Sequence, residues 1–142
     1  MKYKIILVTA FLIATSCAQV TTPTETAKEY VQNWDKQGMY LPQKEIPFFK
    51  ENFTAVSVVL SDALKHKKED IRQRAAYIID ELGIIGKPLE NSILIALKQE
   101  QSRLVRLYLY STLRSIKAND PSTISYLKQK FQSTKNAKDI LP

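Results

Sequence analysis

The 142-residue chain has single-domain length and an ordinary globular balance of 44% hydrophobic and 25% charged residues. Its three glycines (Gly38, Gly83, Gly86) are too few for an all-β fold with many tight turns, and one cysteine excludes an internal disulfide framework or a zinc site with several thiolates. The formal charge of +7, reduced to +5 without Lys2 and Lys4, suits anionic headgroups or acidic partners but is too small to argue nucleic-acid binding alone.

Lys2 and Lys4 form a short positive start, and residues 5–13 are apolar except for Thr9. Ala14, Thr15 and Ser16 come next, and then Cys17. This is the three-part layout of a secretory signal, too short to cross a hydrocarbon core of ~30 Å as a helix. The small residues directly before Cys17 resemble the lipobox of bacterial lipoproteins. The resemblance implies removal of residues 1–16 and acylation of Cys17, whose acyl chains would fix the protein to a membrane. Ala14 stands where that family usually has Leu, so plain secretion with cleavage near Ala18 or Gln19 and an uncleaved anchor are the alternatives. By resemblance to lipoproteins of enteric bacteria, Ala18 rather than Asp after the cysteine favours the outer membrane over the inner one.

Residues 17–25 read as the acylated cysteine and a polar, Thr-rich tether containing Pro23. The spacing predicts a helix over 26–37, with Thr26 and Glu29 as a capping box and Gly38 as its stop. Tyr30, Val31 and Trp34 form its apolar face. Residues 40–49 contain Pro42 and Pro47 and read as an irregular connector, so 26–51 is one capping helix plus connector. The aromatics of this segment, Tyr30, Trp34, Tyr40, Phe48 and Phe49, are expected to cover the otherwise exposed end of a repeat domain over 52–133.

From residue 52 the chain repeats with an offset of 34. Ile71 falls on Val105, Arg72 on Arg106, Ala75 on Leu109, Ile79 on Leu113 and Leu82 on Ile116. The same offset carries Ala63 to Leu97 to Phe131. Within each segment the apolar residues keep a helical stripe, as in Ile71, Ala75, Ile78, Ile79 and Leu82. Five helices are predicted, over 53–66, 69–83, 88–100, 102–117 and 121–133, with 134–142 a loose tail.

The run from Ile71 through Gly83 resembles the second-helix pattern of HEAT repeats: an aliphatic–Arg pair, small residues a turn later, then Leu-Gly. The next copy, from Val105-Arg106, has Leu109 where a small residue is usual and Lys117 where Gly is usual. The resemblance implies an all-α fold: a short right-handed α-solenoid of about two and a half HEAT-like hairpins over 52–133, behind an N-terminal capping helix. It also implies that Arg72 and Arg106 brace adjacent repeats. It implies that the second helices present Gln73, Arg74, Tyr77, Asp80, Glu81, Arg103, Tyr108, Ser111 and Arg114 to a partner, Arg and Tyr being favoured in binding hot spots. The bland reading of that face is a solvated polar surface.

The mixed cluster Lys65-His66-Lys67-Lys68-Glu69-Asp70 reads as a solvated turn, and His66, the only histidine, has no metal-ligand companions. No catalytic motif or phosphate-cradling glycine loop is present. The expectation is a non-enzymatic, lipid-anchored scaffold of the bacterial cell envelope that binds other envelope proteins. It needs no cofactor or metal and binds no nucleic acid. Two alternatives stand beside it: a HEAT-like-repeat enzyme or nucleic-acid binder, and a structural envelope protein without a specific partner.

Overall fold

The structure, a computed structural model, describes residues 21–36 and 42–136. Every regular element among these residues is helical. The helices are α1 (Pro23–Asn33), α2 (Ile46–Glu51), α3 (Phe53–Ala63), α4 (Glu69–Leu82), α5 (Glu90–Gln99), α6 (Arg103–Ser115) and α7 (Pro121–Asn136). Three 3-10 turns, Trp34–Lys36, Gln43–Glu45 and Gly83–Leu89, fill the joints. Cys17, Gly38, Tyr40 and residues 137–142 lie outside the described residues.

The first helix starts a turn earlier than the spacing of Thr26 and Glu29 predicts. Thr22, not Thr26, is the cap. Its hydroxyl accepts from the Glu25 amide at 3.3 Å, and the Glu25 carboxylate accepts from the Thr22 amide at 2.9 Å. Pro23, expected in a tether, supplies a preset φ at the first helical position. The tether reading therefore fails for residues 22–25. The connector reading fails too, because residues 43–51 are helical and Pro47 sits in the first turn of α2, where its missing N–H costs nothing. Residues 83–89 form a long 3-10 turn rather than the end of one α-helix and the start of the next.

The core runs through the whole stack. Trp34, Phe49, Val56, Leu60, Ile78, Ile79, Ile93, Leu109 and Ile116 are fully enclosed. Trp34 donates from its indole nitrogen to Glu45 at 2.5 Å, and Tyr30, Phe48 and Phe49 form an aromatic cluster beside it. The helices α1 and α3 are joined where the Thr24 hydroxyl meets the Ala55 carbonyl, and α3 and α5 where Ser61 meets Ser92 at 2.8 Å. The turn before α7 is tied to α5 by the Asp120 amide, which donates to Glu90 at 2.8 Å.

The pairing of α4 with α6 is the most extensive. Ser102 at the start of α6 donates to Glu69 at the start of α4 at 2.6 Å. Further along, the buried Thr112 hydroxyl reaches the Ala76 carbonyl at 3.0 Å. Near the far ends, Ser111 and Ser115 both donate to Asp80. The two helices are therefore parallel and level. They approach closely beside Gly86, where a Cβ would stand 2.8 Å from Ile79 Cγ2 and 3.2 Å from Ile116 Cγ2.

Candidate interaction surfaces

Arg72 lies in the first turn of α4 and reaches across to the joint between α5 and α6. Its Nε and Nη2 donate to the two carboxylate oxygens of Glu100 at 2.7 and 2.9 Å. Its Nη1 donates to the His66 and Lys67 carbonyls at 2.9 and 3.0 Å. Glu100 also accepts from the amides of Gln101 and Ser102. The Arg72 hydrogen bond, aided by these amides, holds the Glu100 carboxyl below its ordinary range against the opposing effect of burial. Thirty-four residues on, Arg106 Nη1 donates to the Glu100 and Gln101 carbonyls at 3.1 and 2.8 Å. The carbonyl half of the brace is thus repeated. The carboxylate half is not: the offset carries Glu100 to Thr134, and among the described residues no carboxylate pairs with Arg106.

The nine residues expected on one partner face differ in exposure and surroundings. Arg74 and Tyr77 are buried, because α4 is flanked by α2 on one side and α6 on the other. Arg74 donates to the Trp34 carbonyl, and Tyr77 stacks edge to face on Tyr108 at 6.4 Å. Asp80 and Ser111 bind each other. Gln73 and Tyr108 are half-buried, while Glu81 and Arg103 are exposed. Arg114 belongs to another surface, the groove between α6 and α7. The basic turn before α4 is occupied internally as well, with Lys68 paired to Asp35 and the carbonyls of His66 and Lys67 taken by Arg72.

Two largely apolar grooves of similar size mark the surface of the described residues. One, about 390 Å³, lies between α1 and α3 and mixes apolar Val31 and Val58 with Lys28, Asp62 and His66. The other, about 400 Å³, is floored by Leu113, Ala118, Leu127 and Phe131 and rimmed by Arg114 and Lys130. Tyr110 also lines it, and burial pushes its phenol above the ordinary value. The repeat offset explains this second groove. It maps Leu113, Leu127 and Phe131 onto Ile79, Ile93 and Leu97, which are buried. Phe131 is 66% exposed where Leu97 is 2% exposed. By the 34-residue offset the groove matches the place that α6 takes against α4 and α5, and no described helix fills it.

Charge distinguishes this end of the molecule. Residues 101–142 carry eight basic and two acidic side chains, whereas residues 21–100 carry eleven basic and twelve acidic. Neither α6 nor α7 contains an acidic residue. The whole-chain charge hides this asymmetry. Counting charge by segment, and carrying Asp80 onto Arg114 with the same offset, would have found it in the sequence.

Among the described residues no cluster of His, Cys, Asp or Glu could hold a metal, and no helix is long and apolar enough to cross a membrane. Against known protein families, curated proteins and solved structures, the chain has no match.

Proposed function

We propose that this protein is a lipid-anchored interaction module of the bacterial cell envelope: a short right-handed α-solenoid of HEAT-like hairpins held to a membrane through acylated Cys17. The repeated carbonyl brace of Arg72 and Arg106 supports the repeat reading. The observation that carries the binding role is the uncovered α6–α7 groove, whose repeat equivalents are core positions. Exposed apolar surface rimmed by polar groups is the usual mark of an association site. The interaction surface accordingly moves from the α4–α6 face to the end of the stack.

Two experiments test this reading. Metabolic labelling with a palmitate analogue should mark the wild type and not Cys17→Ala; an unlabelled, soluble wild type sinks the anchor. A photo-crosslinking residue at position 131 should trap a discrete envelope protein in intact cells. A smear with no discrete species favours a structural role without a specific partner. The basic excess of residues 101–142 also favours a second reading, a polyanion binder, which would show as a steep loss of DNA affinity with rising salt.

A further inference from the structure

We infer that the α6–α7 groove receives an acidic amphipathic helix supplied by a partner protein. This rests on the interaction-module reading and adds the chemistry of the partner. Helical shape follows from the repeat: the equivalent groove, formed by α4 and α5, is filled by α6, a helix of 13 residues.

Charge follows from the same register. On α4, Asp80 accepts from two serines of the helix laid beside it. The offset replaces Asp80 with Arg114, so the next helix must bring a carboxylate to that point instead of a hydroxyl. Lys130 stands on the opposite wall, and among the described residues no acidic side chain lines the groove. Arg106, at the start of the same helix, is a third cationic point, placed where Arg72 binds Glu100 one repeat earlier. The exposed Phe131 and the Leu127 beside it require an apolar stripe between the carboxylates, which a nucleic-acid backbone does not offer. A second copy of this chain, packed face to face, would bring two basic rims into one interface.

The test uses the full chain in neutral phosphatidylcholine nanodiscs and three helical peptides with one shared apolar stripe. Their flanking positions carry Glu, Gln or Lys. At low salt the Glu peptide is expected to bind about tenfold tighter than the Gln peptide, a preference that shrinks as salt rises. Arg114→Glu, on an exposed side chain, should abolish that preference and make the Lys peptide the better ligand. Phe131→Asp should weaken all three. Equal affinity for the three peptides overturns the inference. So does dimerisation of the wild type that Phe131→Asp abolishes, or crosslinking from position 131 to lipid alone in phosphatidylglycerol discs. If position 131 traps a discrete protein in cells while the peptides show no charge preference, this inference falls and the interaction-module reading stands. If it traps none, the interaction-module reading falls first.

Discussion

Arg72 and Glu100 meet through two parallel hydrogen bonds of 2.7 and 2.9 Å, fastening the first turn of α4 to the joint between α5 and α6. The Glu100 side chain is almost wholly enclosed. Glu100→Ala leaves the guanidinium partly buried beside an empty site, and breaking a buried pair this way costs about 3 kcal/mol. Urea unfolding checks the value. The pair also sets an acid limit. A carboxyl held below its ordinary value near 4.5 contributes its full stability above that value and loses it as pH falls through the lowered one. Unfolding midpoints should therefore drop with acidification below about pH 4.5, and Glu100→Gln should remove part of that drop.

Gly86→Ala places a methyl 2.8 Å from Ile79 Cγ2, in a contact enclosed from solvent. Overpacking of this kind costs about 1–3 kcal/mol. Adding Ile79→Ala should relieve the clash, so the double variant should lose less than the sum of the two single losses, read from thermal or urea unfolding.

Lys117 carries a φ of +53° at the end of α6. Its amide donates to Arg114 and the next amide to Leu113, a Schellman ending whose left-handed position glycine fills more easily. Lys117→Gly should raise stability by about 1 kcal/mol, since a left-handed backbone costs an L-residue roughly that much. The Lys117 carbonyl, which accepts from Lys87, is unchanged by the substitution.

The 34-residue offset pairs Leu97 with Phe131, and the two are opposite in burial. Leu97→Ala should cost about 2–5 kcal/mol, as buried leucines do. Phe131→Ala should change stability by less than about 0.5 kcal/mol, as exposed positions do. Equal losses at the two sites would mean that the groove is closed in solution.

The second half of the fold is the more legible in sequence. The stripe from Ile71 to Leu82 and the proline at 121 locate α4 and the start of α7 almost to the residue. The first half is obscured by prolines. Pro23 and Pro47 look like breakers, although each sits in the first turn of a helix, where proline is tolerated. The fate of Arg74 is hidden for another reason. Periodicity places it on a polar stripe, but its burial depends on α2 and on the Trp34 carbonyl, a partner 40 residues away that no local pattern reveals. The groove is legible only in part. The offset pairs Phe131 with Leu97, yet the absence of a covering helix among the described residues is a property of the assembled layers.

The parallel setting of α4 and α6 has an electrical consequence. Peptide dipoles in side-by-side helices that run the same way reinforce each other across the stack. One edge gathers partial positive charge, and Glu69, Asp70 and Glu100 stand there. The other gathers partial negative charge, and the Lys87 ammonium is lodged against the Lys117 carbonyl at 2.7 Å, with the Lys117 side chain beside it in solvent. The α4–α6 pair is thus polarised from end to end by backbone direction, whereas α5, whose first residue Glu90 meets the turn after α6, runs the opposite way. Each further helix laid on the stack in the same sense would deepen that polarity, and would need its own acid on one edge and base on the other.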